Sequence, residues 1–135
     1  MEAPRILVLV GSASDEPRME PGLAVLRDAR VPFEFVVSSA HRDPDKTLDL
    51  ARNAEGRGIK VIIAGAGLSA ALPGAVSSVT QLPVIGVPFA TGPLNGVDAL
   101  LAIAQLPSGV PVGTVGIDNA RNAAHLALRI LKLLG

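Results

Sequence analysis

Five short apolar runs divide this chain, and each is followed by small or polar residues and then by a longer amphipathic stretch. The runs predict strands at residues 6–10, 33–37, 61–64, 83–87 and 111–117. Most are continuously apolar and rich in valine and isoleucine, with no regular alternation of polar positions. This pattern is typical of strands that are covered on both faces, as in a parallel sheet.

The stretches between the strands have helical spacing and predict helices near residues 17–29, 45–56, 70–80, 94–104 and 119–134. This alternation indicates an α/β fold with a three-layer, doubly wound parallel sheet of five strands, and right-handed crossovers favour the flavodoxin-like strand order. We expect Leu23, Leu26 and Ala29 on the inner face of the first helix, which Pro21 should kink or delay. Because the chain shows no repeat or linker, residues 1–135 are expected to form a single catalytic domain.

Composition removes several classes of function. Twelve basic and twelve acidic residues cancel, so the chain lacks the positive electrostatic field that attracts nucleic acid. With no Trp, no Tyr and three Phe, it also lacks aromatic side chains on which bases could stack. The absence of Cys excludes a disulfide framework and a thiolate metal site. No signal peptide and no apolar run near 20 residues is present, so a cytoplasmic protein without a membrane span is expected.

Polar residues gather in the turns that follow the first three strands. These turns are Gly11-Ser12-Ala13-Ser14-Asp15, Ser39-Ala40-His41-Arg42 and Gly65-Ala66-Gly67-Leu68-Ser69. In a doubly wound sheet they lie along the carboxyl ends of the strands, where the binding crevice forms. The imidazole of His41 can act as a general acid or base, and Arg42 carries a planar fork that suits phosphate. Together they predict a phosphorylated ligand and a proton transfer.

Each of these residues also has an ordinary structural interpretation. Glycines can serve tight turns, Ser12, Ser14 and Asp15 can cap helices, and Arg42 can remain solvated. His125 lies among apolar residues of the last helix and is expected to be structural or superficial. Two distant histidines without cysteine predict no metal site. A P-loop, a complete dinucleotide fingerprint and a nucleophile elbow are all missing from the sequence.

Longer motifs make the chain similar to one family. It resembles the carboxyaminoimidazole ribonucleotide mutase / aminoimidazole ribonucleotide carboxylase family of purine biosynthesis, from Ile6 to Leu131. The motifs that carry the resemblance are Gly11-Ser12-Ala13-Ser14-Asp15, Ser39-Ala40-His41-Arg42-Asp43-Pro44, Val61-Ile62-Ile63-Ala64-Gly65-Ala66-Gly67, Leu72-Pro73-Gly74, Pro83-Val84-Ile85-Gly86-Val87-Pro88, Leu94-Asn95-Gly96-Val97-Asp98 and Pro111-Val112-Gly113-Thr114.

The resemblance implies a cofactor-free and metal-free carboxylate shift on an imidazole ribonucleotide through trapped carbon dioxide, with His41 as general acid and base. It implies that Ser12, Ser39 and Arg42 hold the phosphate and that Asp15 holds the ribose hydroxyls. The base and carbon dioxide pocket would be lined by Ala66, Gly67, Ser69 and Leu72. The complete set of expected substrate-binding residues is Gly11, Ser12, Ser14, Asp15, Ser39, Ala40, Arg42, Ala66, Gly67, Ser69 and Leu72. The resemblance also implies a homo-oligomer, and the family's common assembly is an octamer.

The chain departs from the mutase pattern at Ala71, where mutases carry a second pocket histidine. Leu68 and Ser69 replace small residues, and the segment 106–109 favours the carboxylase branch, whereas Arg42 favours the mutase branch. The mutase is the preferred interpretation. The alternatives are a carboxylase that uses free carbon dioxide, a diverged nucleotide-binding paralogue without catalysis, and a different flavodoxin-like binder.

Overall fold

The computed structural model describes residues 2–68 and 70–135. In this part of the chain, five strands alternate with five α-helices. The strands are β1 (Ile6–Val10), β2 (Phe33–Val37), β3 (Val61–Gly67), β4 (Val84–Phe89) and β5 (Gly113–Thr114). The helices are α1 (Glu16–Asp28), α2 (Pro44–Ala54), α3 (Leu72–Ser77), α4 (Val97–Ala104) and α5 (Ala120–Leu134). Short 3-10 turns cover Ala13–Asp15 and Glu55–Arg57.

The five strands form one parallel sheet in the order β2-β1-β3-β4-β5. Val8 of β1 lies opposite Phe35 on one side and Ile63 on the other, so β1 is flanked by both neighbours along its length. The order reverses between β1 and β3, which creates the crevice where doubly wound proteins bind ligands. The predicted flavodoxin-like α/β sheet is confirmed.

Side chains from alternate positions of β1 build two separate cores. Ile6, Val8 and Val10 pack on the face covered by α1 and α5, whereas Leu7 and Leu9 pack on the face covered by the other helices. All five of these side chains have no exposed surface. Because both faces are covered, an apolar residue is favoured at every position of the strand, which explains the continuous apolar pattern.

Helix α1 corrects the expected late start at Pro21 and the expected inner-face position of Ala29. It continues from Glu16 through Pro21 to Asp28, since Pro21 removes only one backbone donor and the helix packs closely on α5. A Cβ on Gly22 would lie 2.6 Å from the carbonyl oxygen of Ala120, so glycine is required for this approach. Leu23 and Leu26 are buried as expected. Ala29 is exposed because it lies past the helix end as its C-cap.

Several strand boundaries also differ from the expected ones. β2 is half-buried along its whole length because it is an edge strand, not the covered strand that its sequence indicated. β3 runs on to Gly67, which pairs with Phe89 of β4, so the expected turn at Gly65 is the end of a strand. β5 keeps only Gly113–Thr114 of the expected 111–117, because Pro111 cannot donate a ladder bond and β4 is its single partner.

Two helices are shorter than expected. α4 begins at Val97 because Asn95 (φ 55°) and Gly96 (φ 90°) both adopt the left-handed conformation, which interrupts a helix. α3 covers only Leu72–Ser77 of the expected 70–80, with Pro73 in its first turn. None of the helices in residues 2–68 and 70–135 is both long and apolar enough to cross a membrane.

Candidate active site

A pocket of about 210 Å³ lies where β1, β2 and β3 end. Its walls are the turn after β1, the turn after β2, the end of β3 and the start of α3. The lining residues are Gly11, Ser12, Asp15, Ser39, Ala40, His41, Arg42, Ala66, Gly67, Ala71 and Leu72. Residues separated by up to about 60 positions in the sequence are therefore brought to one edge of the sheet.

Ten of the twelve residues expected at the site line this pocket. Ser14 does not; its hydroxyl lies 2.9 Å from the hydroxyl of Ser12, and its backbone N–H donates to the Ser12 oxygen at 3.3 Å. Ser14 therefore holds the turn in which Ser12 faces the pocket. Ser69 lies outside the described residues.

Asp15 is a buried carboxylate in the pocket wall, with 7% of its surface exposed. It stands at the N-cap of α1, yet its side chain makes no capping hydrogen bond. Burial raises the pKa of Asp15, and the nearby charge of Arg18 partly opposes that shift. Arg18 also pairs with Asp118 at 3.4 Å. Asp15 therefore lines the pocket without capping its helix.

His41 is the middle residue of a closed five-residue turn between β2 and α2. The backbone N–H of Asp43 donates to the carbonyl oxygen of Ser39 at 2.9 Å, and the N–H of Arg42 donates to the Ser39 side-chain oxygen at 3.1 Å. The Ser39 oxygen accepts this bond through a lone pair, which leaves the hydroxyl proton for donation to a ligand. The side chains of His41 and Arg42 remain exposed at the mouth of the pocket.

The opposite wall of the pocket is apolar and closely packed from behind. Three atoms of Thr91 would lie within 3.2 Å of a Cβ added to Gly67, so the Thr91 side chain covers the back of Gly67. Leu68 adopts a left-handed conformation (φ 51°), which is uncommon for a residue with a side chain. The Leu68 side chain occupies the space that a Cβ on Gly92 would fill. The loop after β4 therefore fixes the end of β3.

Thr91 was not among the residues expected from the sequence. The rule that pointed to the turns after β1, β2 and β3 also applies to the turn after β4, and extending it would have included Thr91. Ala71 was noted as a departure from the mutase pattern, and the structure places it in the pocket wall beside Leu72.

Other features lie away from this pocket. His125 is exposed on α5, near Asn122 and Arg129. Of the two expected positions, structural or at the surface, it has the surface position. A larger and more open depression of about 660 Å³ lies at the amino end of β2, beside Arg27 and Phe33, and holds no histidine. Within the described residues, no three His, Asp or Glu side chains are placed to hold a metal ion.

The pocket therefore combines a polar side, made of hydroxyls, Arg42 and a buried carboxylate, with an apolar side that ends at Leu72. The polar side suits a phosphorylated and hydroxylated ligand, and the exposed side chain of His41 stands at the mouth of the pocket. The family described as AIR carboxylase matches residues 5–134. The chain belongs to this family.

Members of the AIR carboxylase family with two different names are similar to the chain. The N5-carboxyaminoimidazole ribonucleotide mutase of Pyrococcus horikoshii is 55% identical over 96% of this chain and 73% of its own length. The mutase of Thermotoga maritima is 53% identical over 95% of this chain and 75% of its length. The phosphoribosylaminoimidazole carboxylase of Schizosaccharomyces pombe is 50% identical over 97% of this chain, but only 24% of its length is covered.

Solved structures of the same kind share the fold. PurE of Treponema denticola superposes with a TM-score of 0.87 at 28% identity, over 98% of this chain and 82% of that chain. A variant of PurE2 from the same organism gives a TM-score of 0.88 at 27% identity, over 99% of this chain and 83% of that chain. The fold of this chain is thus shared with solved structures that carry the PurE name.

Proposed function

We propose that this chain is an N5-carboxyaminoimidazole ribonucleotide mutase of purine biosynthesis. The observation that carries the proposal is that His41, Ser39 and Arg42 meet at one pocket in a chain that is 55% identical to such a mutase. The substrate is an imidazole ribonucleotide whose exocyclic nitrogen carries a carboxylate. The product carries that carboxylate on the ring carbon.

The polar side of the pocket would bind the ribose phosphate. Arg42 supplies a planar charged fork, and Ser12 and Ser39 supply hydroxyls next to it. Asp15 would accept hydrogen bonds from the ribose hydroxyls, since its carboxylate lines the pocket without capping its own helix. Gly11 and Ala40 would bring the backbone of both turns close to the ligand.

The reaction proposed for this pocket conserves atoms and charge. The bond between the exocyclic nitrogen and the carboxyl carbon breaks, carbon dioxide is released, and the nitrogen gains a proton. The ring carbon then forms a bond to the carbon dioxide and loses a proton. His41 would deliver the first proton and accept the second, so that it ends the cycle in its starting form.

The apolar side of the pocket would retain the carbon dioxide between these two steps. Ala66, Gly67, Ala71 and Leu72 present no polar side-chain atom to compete for it. Excluding water there protects the intermediate from escape and hydration. The expected binding set is completed by Ser14, which supports Ser12, and by Ser69.

The test is turnover of both candidate substrates by the purified protein. The carbamate isomer alone should be converted to the ring carboxylate, and 13C-labelled bicarbonate in the buffer should enter the product only slightly. Conversion of aminoimidazole ribonucleotide with labelled bicarbonate, without turnover of the carbamate, would replace the mutase by the carboxylase. Tight ribonucleotide binding without turnover of either substrate would indicate the paralogue without catalysis.

The carboxylase is the second candidate, because carboxylases from three yeasts are 50–53% identical to this chain. Ala71 is the residue of the pocket wall that bears on this choice. It leaves His41 as the one histidine among the lining residues. His41 would therefore serve both proton transfers of the mutase reaction, and the single loss of a proton from the ring carbon in the carboxylase reaction.

We also propose that copies of the chain associate through α4 and the turn before it, with the family's octamer as the expected assembly. Leu94, Val97 and Leu101 are 60%, 51% and 54% exposed. Val97 and Leu101 are four residues apart on one face of α4, and Leu94 lies in the turn before the helix, so the three add exposed apolar surface to this part of the chain. Analytical ultracentrifugation should show an oligomer that Leu101→Glu weakens. An unchanged assembly of that variant would exclude this face as the contact.

A further inference from the structure

A pair of buried hydroxyls lies directly behind the His41 turn. Thr47, the fourth residue of α2, has no exposed surface, and Ser38, the residue directly after β2, is 3% exposed. Their side-chain oxygens are 2.6 Å apart. Neither residue lines the pocket, and neither belongs to the motifs that carry the family resemblance.

The proton positions in this pair follow from its neighbours. The Thr47 oxygen lies 3.1 Å from the carbonyl oxygen of Ser39 and 3.0 Å from that of Asp43. Carbonyl oxygens only accept, so the Thr47 proton is directed at them. The Ser38 hydroxyl must therefore donate to the Thr47 oxygen. This order leaves every oxygen of the buried group with a partner, as burial requires.

Ser39 and Asp43 are the first and last residues of the turn that has His41 at its centre. The single hydroxyl of Thr47 thus bonds both ends of that turn, while the backbone bond from Asp43 to Ser39 closes it. Below the pair, the N–H of Ser38 donates to the carbonyl oxygen of Val10 at 2.8 Å, which ties the group to β1.

We propose that Thr47 is a positioning residue for His41 and that Ser38 fixes the orientation of its hydroxyl. The inference rests on the proposed function, because it assigns to Thr47 the placement of the proton carrier of that reaction. A rigid turn matters here because a displacement of about 1 Å at a reacting group can cost on the order of 100-fold in rate.

The test compares three variants with the wild-type enzyme. Thr47→Val keeps the shape of the side chain but removes the hydroxyl, Thr47→Ser keeps the hydroxyl, and Ser77→Ala is the matched control. Ser77 is also buried, and its hydroxyl donates to the carbonyl oxygen of Pro111 at 2.7 Å, at the end of α3 away from the turn. Thr47→Val should lower kcat about 10- to 100-fold with a KM within about threefold. Thr47→Ser should restore most of kcat, and Ser77→Ala should change thermal stability only.

A second measurement does not depend on turnover. Amide hydrogen exchange should become at least about tenfold faster at Arg42 and Asp43 in Thr47→Val, because their N–H groups close the turn, with the amides of β1 unchanged. Should Thr47→Val fail to fold, Ser38→Ala tests the same pair and should give a smaller effect of the same kind. Wild-type enzyme without turnover would overturn the proposed function alone. Unchanged exchange at Arg42 and Asp43, or an unchanged kcat in an active enzyme, would overturn the positioning role.

Discussion

Thr91 covers the back of Gly67 so closely that the position has no room for a methyl group. Gly67 forms part of the pocket wall at the end of β3, and Thr91 lies in the loop after β4, 24 residues further along the chain. Because the two strands are neighbours in the sheet, this contact joins the pocket wall to a loop outside the pocket. The end of β3 that forms the pocket wall is thus held from behind by the loop after β4.

Gly67→Ala should lower the free energy of unfolding by about 1–3 kcal/mol, the usual cost of overpacking. Adding Thr91→Gly should recover most of that loss, because it removes the three atoms that a Cβ would meet. Urea unfolding of the single and double variants measures both effects. Gly11→Ala is the matched control: a Cβ at Gly11, also in the pocket wall, would meet nothing within 4 Å. Equal losses in Gly67→Ala and Gly11→Ala would contradict this account.

His41→Asn should lower kcat by about 10²- to 10⁴-fold, the usual contribution of a general acid or base. Ribonucleotide affinity should stay near that of the wild type, since the phosphate contacts are assigned to other side chains. Steady-state kinetics and calorimetric titration measure the two quantities separately. His125→Asn, at the exposed position on α5, is the control and should behave as wild type. Normal turnover of the His41 variant would remove its assigned role.

Arg42→Ala should raise KM by about 10- to 100-fold, because a hydrogen bond to a charged group contributes about 1.5–3 kcal/mol. We expect kcat to change less than about threefold, since Arg42 holds the phosphate and not the reacting atoms. The KM of Arg42→Lys should lie between those of the wild type and Arg42→Ala, because lysine keeps the charge without the planar fork. Arg121→Ala removes an exposed arginine that does not line the pocket and should leave KM unchanged. A fall in kcat without a change in KM would contradict the phosphate role.

Asp15→Asn should stabilise the fold at neutral pH while weakening ribonucleotide binding. Burial raises the pKa of Asp15 in the folded state, so ionising the carboxyl lowers the free energy of unfolding. That loss is absent below the ordinary pKa of 3.8 and develops as the pH rises through the raised pKa of the folded state. The asparagine variant avoids the cost and loses no capping bond, because Asp15 makes none. Its advantage should be full at pH 7 and should vanish below the ordinary value. The urea unfolding midpoints of both proteins, measured from below pH 3.8 to pH 7, test this prediction. A variant that is less stable than the wild type at pH 7 would contradict the stability cost assigned to ionised Asp15.

Only part of the pocket could be predicted from the local sequence pattern. The pocket positions of His41, Arg42, Ser12 and Ser39 were predictable, because polar residues that follow apolar strands of a parallel sheet must lie at its carboxyl edge. Ser14 faces Ser12 and not the pocket, because the direction of a side chain depends on the hydrogen bonds of the folded turn. Thr47 gave no signal, since a threonine inside a helical pattern resembles any other polar position.

By itself, the sequence determined the α/β class, the five strands and the motifs of the AIR carboxylase family, because these depend on side-chain polarity over a few neighbouring residues. Only the tertiary structure decided that β2 is a half-buried edge strand, that Pro21 lies inside an unbroken helix and that Thr91 and Thr47 hold the pocket wall and the His41 turn. These features depend on which elements pack together, and contacts between residues far apart in the chain leave no period in the sequence.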